Sequence, residues 1–254
     1  SRGSIAKRLI SFMSAFTSPF PGGLGIACVL SCAAFAAING SSIVTMMAIG
    51  SIMYPALLAK GYSKDFALGS IASAGTLGII IPPSIPLILY GIMTERDISK
   101  LFIAGIGPGL LLTLFFVVYA VAVNLQTARI PFSAAEAWRA FVGGIFALAL
   151  PLLMIGGIYS GWFSPTEAGA VSLAYALLIE FLVHRREEAA EAPAGAGAVQ
   201  RVRHYFATRE MTMRALFDTI LETTKLLATL LPLLCIAGSL NTILDHSGDR
   251  KSVV

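Results

Sequence analysis

The stretch GTLGIIIPPSIPLILYG, residues 75–91, decides the fold. It lies in a run without charged side chains, residues 66–94, that is long enough to cross a membrane as one helix. Yet Pro82 and Pro83 each lack the amide hydrogen that a helix needs, and their rings collide with the preceding turn. The sequence therefore predicts an apolar segment whose helix is broken near residues 76–84.

The composition places the rest of the chain in a membrane as well. Hydrophobic residues make up 56% of the 254 residues and charged residues 13%, and the mean hydropathy is +0.80. A soluble domain has about 25% charged residues. The net charge of +4 is spread over loops, so it indicates membrane topology and not nucleic-acid binding. The blocks without Asp, Glu, Lys or Arg are residues 9–59, 66–94, 101–128, 140–166 and 226–244.

Loop charges predict the orientation, because short cytoplasmic loops collect Lys and Arg. Alternation along the chain then places residues 94–100 and 159–167 outside the cell. The cytoplasmic stretches are residues 1–8, 60–65, 129–139 and 184–225.

This topology requires residues 24–59 to leave and return to the same face of the membrane. The sequence Asn-Gly-Ser-Ser at 39–42 divides the block into arms, residues 24–38 and 43–59, that are at or below the usual spanning length. A re-entrant hairpin with its tip at membrane depth is therefore favoured over two full spans, although the charge rule allows both.

Hydroxyl side chains collect at the hairpin tip and at the helix break. Non-helical backbone at membrane depth persists only where it is buried in protein or lines a cavity. The carbonyls of a broken helix can coordinate a cation such as Na⁺, and a half-helix N-terminus can hold an anionic group. The alternative is that the kinks and hydroxyls only shape packing. The predicted binding residues are Asn39, Gly40, Ser41, Ser42 and Thr45 at the tip, and Ser73, Thr76 and Ser84 at the break.

Other motifs predict structure and not chemistry. In GWFSPTEAG, residues 161–169, Ser164 is a helix N-cap, and Glu167 is either part of the first turn or a proton carrier. GIGPG at 105–109 predicts close helix packing. The three cysteines, Cys28, Cys32 and Cys235, are predicted to be buried small residues.

Enzymatic activity has no support in the sequence. It contains no phosphate-binding Gly-x-x-x-x-Gly-Lys-Ser/Thr loop, no metal-type spacing of His or Cys, and no nucleophile with a base in a known motif. We therefore expect neither an enzyme nor an ATP-driven pump, and no cofactor.

Residues 35–91 resemble the large membrane subunit of the tripartite ATP-independent periplasmic (TRAP) transporters, the DctM-like permeases. The resemblance combines the Gly-Ser-Ser tip, Gly-Tyr at 61–62, Gly-Thr-Leu-Gly and Pro-Pro-Ser in register, and it continues through residues 101–112 and 161–177. It implies an inverted-repeat, elevator-type transporter of the bacterial inner membrane that is driven by Na⁺. It also implies two partners, a periplasmic solute-binding protein and a small membrane subunit.

The resemblance also extends the candidate site. It implies that Gly78, Pro82 and Pro83 join the hydroxyl residues, and that Na⁺ is held through Ser41, Ser42, Thr76 and Gly78. Relative to the family, the chain lacks the initial helices and everything after the span that ends near residue 244, including a second hairpin.

The predicted fold is an all-α integral membrane protein, a polytopic helical bundle with a re-entrant hairpin and a broken helix. We expect residues 249–254 to be a non-native tail, because GDRKSVV is also the translation of a common sequencing adapter. The predicted regions are 1–123, with hairpin 24–59, broken helix 66–93 and helix 101–123; 124–183, with helices 140–159 and 166–183; a cytoplasmic linker, 184–211; and the start of a second repeat, 212–248.

The leading functional hypothesis is a Na⁺-coupled secondary transporter subunit that imports an organic anion of the carboxylate class. One alternative is a membrane scaffold that transports nothing. Another is a Na⁺- or H⁺-coupled carboxylate transporter that works without a binding protein. A channel is disfavoured because the sequence offers no rings of charge to line a pore.

Overall fold

The computed structural model of the protein describes residues 4–125, 127 and 134–191, and separate positions between 217 and 243. The chain divides into two units, Ser1–Glu180 and Phe181–Val254. All regular structure in the described residues is helical, which confirms the predicted class. The helices are α1 (Ser4–Thr17), α2 (Gly23–Asn39), α3 (Ser42–Ala59), α4 (Lys64–Gly75), α5 (Leu77–Ile80), α6 (Ile85–Met93), α7 (Ile98–Val123), α8 (Ala134–Tyr159) and α9 (Pro165–Glu191).

Three helical segments among the described residues are long and apolar enough to cross a membrane. They are Ser42–Ala59, Lys64–Met93 and Ile98–Val123, and α8 is a fourth if its two bent halves form one span. Helix α2 is apolar but has only 17 residues. These lengths do not distinguish a re-entrant hairpin of α2 and α3 from two full spans, so the hairpin stays a prediction.

Side-chain caps set where two helices begin. The hydroxyl of Ser63 accepts a hydrogen bond from the amide of Phe66 at 3.2 Å, so α4 starts before the predicted residue 66. The carboxylate of Asp97 accepts one from the amide of Ser99 at 2.9 Å, so α7 starts before residue 101. Such caps satisfy amide hydrogens that have no partner within the helix.

Two other helices extend beyond the predicted limits. Helix α8 begins at Ala134 and not at residue 140, and α9 continues to Glu191, past the predicted end at residue 183. The added stretches, AAEAWR and HRREEAAE, are rich in good helix formers. Charged residues mark the ends of an apolar span, but they do not end a helix.

The N-cap predicted at Ser164 is confirmed, and with Glu167 it forms a capping box. The carboxylate of Glu167 accepts a hydrogen bond from the amide of Ser164 at 2.8 Å, and the amide of Glu167 donates to the hydroxyl of Ser164 at 3.3 Å. This reciprocal pair satisfies two amide hydrogens. Helix initiation therefore accounts for Glu167 without a role in proton transfer.

Helix α2 is the centre of the first unit, packed against α1, α3, α4, α5, α7 and α8. Its small side chains allow this. Cys28 and Cys32 are fully buried, as predicted, and a Cβ on Gly25 would lie 2.9 Å from the ring of Phe66. The burial predicted for Cys235 is wrong, since that residue is exposed. An apolar residue of a membrane helix can be covered by lipid as well as by protein.

In the second unit, the described positions between 217 and 243 are helical. The hydroxyls of Thr224 and Ser239 each donate to the carbonyl four residues earlier. Residues 192–211 of the predicted linker and the tail at 249–254 lie outside the described residues. The predicted regional boundaries stay predictions.

Helix α7 approaches the broken segment through glycines, which confirms the packing predicted for GIGPG. A Cβ on Gly105 would lie 2.9 Å from the carbonyl oxygen of Ile80, and one on Gly109 would lie 2.8 Å from Ile81 Cγ1. Gly107, between them, has nothing within 4 Å. Helix α7 therefore contacts the break on one face only.

We expect Gly105→Ala in the full-length protein to lower the free energy of unfolding by about 1–3 kcal/mol, because the new methyl group overpacks against backbone. Gly107→Ala is the matched control in the same helix. It should be neutral or stabilising by up to about 1 kcal/mol, because alanine is the better helix former. Thermal unfolding in detergent measures both, and equal effects of the two substitutions would contradict the packing.

Candidate cation and substrate site

The helix break lies between Ile80, where α5 ends, and Ile85, where α6 begins. The residues in between have no helical conformation, and the peptide between Pro82 and Pro83 is cis. Pro82 is buried and Ser84 is fully buried. Protein thus covers two of the four residues of the break fully, and Ile81 and Pro83 are half-buried.

The prolines leave two carbonyl groups without their helical donors. In a continuous helix the amides of residues 82 and 83 would bond to the carbonyls of Gly78 and Ile79. The hydroxyl of Ser84 replaces one of them, donating to the carbonyl oxygen of Ile79 at 2.7 Å. The Gly78 carbonyl gains no such replacement from its own helix. The Gly78 carbonyl is thus a backbone oxygen at the break without its helical donor.

The hairpin tip is a two-residue connection. Helix α2 ends at Asn39, and Gly40 has the left-handed conformation, with φ 62° and ψ 19°. Ser41 is extended, and α3 begins at Ser42. A left-handed residue after a helix is the usual position for glycine, which has no Cβ to strain there.

The side chains of Asn39 and Thr45 hold the tip from inside. The Asn39 carboxamide donates to the carbonyl of Phe35 at 2.9 Å and accepts from the amide of Ser41 at 2.8 Å. The fully buried Thr45 hydroxyl lies 2.8 Å from the Ser41 carbonyl oxygen and within hydrogen-bonding distance of the Asn39 carboxamide. Because these bonds use most of their polar atoms, Asn39 and Thr45 position the tip.

The tip and the break are in contact through backbone. The carbonyl oxygen of Gly40 accepts a hydrogen bond from the amide of Ile85 at 3.3 Å. A Cβ on Gly40 would lie 2.5 Å from the carbonyl oxygen of Pro83, and one on Gly78 would lie 2.6 Å from that of Ser41. The structure thus brings together Gly40, Ser41, Gly78 and the Pro83–Ser84 segment, which the sequence assigned to two separate elements.

The other predicted hydroxyl residues are not all part of this contact. Gly75 lies against Ser42, since its added Cβ would be 3.5 Å from the Ser42 carbonyl oxygen. Thr76, next in the chain, is exposed, and its hydroxyl donates to the carbonyl of Ser73 at 2.6 Å. The hydroxyl of Ser41 makes no capping bond to α3. Ser73 is exposed, and no contact of its hydroxyl with the tip is seen among the described residues.

The electrostatic field at this contact comes from helix ends. The tip and the break carry no ionisable Asp, Glu, Lys, Arg or His side chain. The C-terminal ends of α2 and α5 supply partial negative charge, and the N-terminal ends of α3 and α6 supply partial positive charge. Partial negative charge therefore lies at the carbonyl end of α2, beside Gly40, and partial positive charge at the first amides of α3.

Sequence reasoning missed one member of the contact, the amide of Ile85. It is the first helical amide of α6, and such amides lack a partner in their own helix. The one feature of the sequence that pointed to this amide is that Ile85 directly follows Pro-Pro-Ser. Nothing in the sequence showed that its acceptor would be Gly40.

We expect Gly40→Ala in the full-length protein to lower the free energy of unfolding by about 2–4 kcal/mol, because it adds a steric clash with Pro83 to the strain of a left-handed alanine. Gly61→Ala is the matched control. Gly61 is also left-handed, with φ 82°, but has nothing within 4 Å, so its substitution should cost only about 1–2 kcal/mol. Thermal unfolding in detergent compares the two variants. An equal loss of stability in both would show that the tip is not closely packed against the break.

Comparison with known proteins matches the chain to one family. The family model described as "Tripartite ATP-independent periplasmic transporter, DctM component" matches residues 1–253. The chain is 43% identical over 194 residues to the C4-dicarboxylate TRAP transporter large permease protein DctM of Pseudomonas aeruginosa, covering 75% of the chain and 45% of that relative. It is 41% identical over 188 residues to the ectoine TRAP transporter large permease protein TeaC of Halomonas elongata, covering 72% and 44%.

A third relative is the C4-dicarboxylate TRAP transporter large permease protein DctM of Vibrio cholerae, 43% identical over 188 residues, with coverage of 73% of the chain and 42% of that protein. The chain spans less than half the length of these relatives. Together with its apolar helices, these matches show that the chain is a multi-pass bacterial membrane protein and not an enzyme, and that it belongs to the DctM family of TRAP transporter large permeases.

Proposed function

We propose that the chain is part of the large membrane subunit of a Na⁺-coupled secondary transporter in the bacterial inner membrane. The transporter imports an organic anion of the carboxylate class, which a periplasmic binding protein delivers. The observation that carries this proposal is the contact between the Gly40 tip and the Pro83–Ser84 break. Two discontinuous elements meet there with backbone oxygens that lack helical donors.

Na⁺ coupling is supported by the kind of oxygen atoms that the contact offers. Carbonyl and hydroxyl oxygens replace the hydration shell of a monovalent cation without carrying formal charge. In the proposed site, Na⁺ is bound by the Gly78 carbonyl, by the hydroxyls of Ser41 and Thr76, and by the backbone at Ser42. Asn39 and Thr45 hold the tip in place through hydrogen bonds to the backbone of Ser41.

The anion is supported by the helix N-termini and by the relatives. The amides at the start of α3 lie beside Gly78, because the added Cβ of Gly78 would be 2.7 Å from the Ser42 nitrogen. Amides at a helix N-terminus favour negative charge. The relatives described above include C4-dicarboxylate and ectoine transporters. We therefore place the carboxylate near Ser42, next to the cation.

The family description supports the proposed assembly. A tripartite periplasmic system has two components besides this permease, and we assign these to a small membrane subunit and a periplasmic binding protein. In the proposed elevator mechanism, the region of the tip and the break moves across the membrane as a unit. The rest of the polypeptide supplies a second, inverted repeat with its own hairpin.

Removing the two cation-binding hydroxyls tests the site. In the full-length protein, Ser41→Ala with Thr76→Ala should raise the Na⁺ concentration for half-maximal uptake by roughly tenfold, which corresponds to about 1.4 kcal/mol of lost binding free energy. Uptake of radiolabelled substrate in proteoliposomes that contain all three components measures the effect.

Ser51→Ala is the control for this experiment. Its hydroxyl lies on the same helix, α3, and bonds to the carbonyl of Ala48 at 3.0 Å, so its loss should leave Na⁺ dependence unchanged. An unaltered Na⁺ requirement in the double variant would reject the assigned ligands. Uptake that persists without a Na⁺ gradient would reject Na⁺ coupling itself, and no uptake by the complete wild-type system would favour a scaffold.

Restoring the missing amides tests the break. Pro82→Ala with Pro83→Ala supplies amide hydrogens to the carbonyls of Gly78 and Ile79, so the segment can close into helix and withdraw those oxygens. We expect the double variant to insert into the membrane normally and to lose Na⁺-coupled uptake.

Pro55→Ala, at a proline inside α3 and away from the contact, is the control and should retain uptake. If the two prolines only bent the helix, the double variant would keep its uptake, because alanine would restore helical hydrogen bonds and leave the site unchanged. Wild-type uptake in Pro82→Ala/Pro83→Ala would therefore show that the break does not serve transport.

A further inference from the structure

Helix α8 is bent by 51° between Ala137–Phe146 and Leu148–Tyr159. Pro151 explains the position of the bend. It lacks the amide hydrogen that would bond to the carbonyl of residue 147, and its ring collides with that carbonyl. A bent apolar helix of this length is either one broken span or a re-entrant loop that returns to the face where it began.

One side of α8 is exposed along its whole length. Gly144, Leu150 and Ile158 of the opposite side are buried. The exposed positions follow one another at intervals close to multiples of 3.5 residues, so they share one face of the helix. They are Trp138, Val142, Ile145, Leu152 and Tyr159, and we call them the α8 stripe.

Both tryptophans of the chain are at the ends of this helix. Trp138 is 67% exposed, in the first turns of α8, and Trp162 is 80% exposed, in the turn that follows Tyr159. Arg139 is exposed beside Trp138, whereas residues 159–167 contain no basic side chain. Tryptophan prefers the boundary between lipid and water, where its ring is in the apolar region and its N–H group remains hydrated.

The length of α8 agrees with the thickness of a bilayer. With a rise of 1.5 Å per residue on both sides of the 51° bend, Trp138 and Tyr159 are separated by about 28 Å. The hydrocarbon core of a membrane is about 30 Å thick. Between these aromatic ends, α8 contains no charged residue after Arg139.

We propose that Trp138 and Trp162 anchor α8 in the two opposite interfaces of the lipid bilayer, and that α8 is one bent span. Trp138 lies at the cytoplasmic interface, because Arg139 is next to it and basic residues collect on that side. Trp162 lies at the external interface. The α8 stripe between them faces lipid acyl chains.

Quenching by brominated lipids tests the depth of each tryptophan. The full-length protein is reconstituted in phosphatidylcholine that carries bromine either near the head group or near the end of the acyl chain. The difference between wild type and Trp138→Phe, or Trp162→Phe, isolates the fluorescence of each side chain. We expect both tryptophans to lose more fluorescence with bromine near the head group.

Leu152→Trp, in a full-length variant whose other tryptophans are all replaced by phenylalanine, is the matched control. Leu152 is 71% exposed and lies roughly three helical turns or more from either tryptophan, so this probe should be quenched more by bromine near the chain end. The proposal is overturned if the fluorescence of Trp138 or Trp162 is quenched more strongly by bromine near the end of the acyl chain. It is also overturned if neither lipid quenches them, since another polypeptide would then cover the stripe.

Labelling from one side tests whether α8 crosses the membrane. Trp138→Cys and Trp162→Cys are made separately in a full-length protein whose own cysteines are replaced by serine. A membrane-impermeant maleimide should label the Trp162→Cys variant in intact spheroplasts and the Trp138→Cys variant only after lysis. Labelling of both from the same side would make α8 a re-entrant loop, and labelling of neither after lysis would exclude interfacial positions.

Discussion

The two amide hydrogens that Pro82 and Pro83 lack are the constraint on which the rest of the structure depends. Inside a membrane no water is available to replace them, so the protein itself must accommodate the open helix. Ser84 provides a hydroxyl for one carbonyl, and Gly40 provides a carbonyl for the amide of Ile85. The hairpin is therefore held against the break by the need to satisfy its polar backbone groups.

Glycine makes this arrangement sterically possible. Gly40, Gly78 and Gly105 belong to three different parts of the chain, and at each of them a Cβ would collide with a backbone atom of another segment. Their absence of side chains lets the tip, the broken helix and α7 approach through backbone. The contact is consequently formed by atoms whose positions are fixed by the helices, and little of it depends on side-chain rotamers.

The sequence predicted the local features of this contact and not its partners. Paired prolines and the Asn-Gly-Ser-Ser turn are visible in a single sequence, because both act within one or two turns of their own position. The bond between Ile85 and Gly40 joins residues that are 45 positions apart, and no local pattern specifies it.

The functions of individual side chains were predictable only in part. Ser41 and Thr45 looked equivalent as hydroxyl residues near a turn, yet Thr45 is buried in a network with Asn39, and Ser41 makes no capping bond. Helix limits were misjudged at α8 and α9 for a related reason. Charged residues indicate where a helix leaves the hydrocarbon core of the membrane. The ends of the helix itself depend on caps and on residues such as proline.

The absence of ionisable side chains from the tip and the break has a consequence for proton coupling. A carboxyl or imidazole group in an ion site takes up protons in the physiological pH range, and H⁺ can then compete with Na⁺ or replace it. The carbonyl and hydroxyl oxygens at Gly40, Ser41, Thr76 and Gly78 do not titrate in that range. In the proposed Na⁺ site, acidification therefore leaves the charge of these oxygen atoms unchanged, and discrimination among cations would depend on the number and spacing of the oxygen atoms.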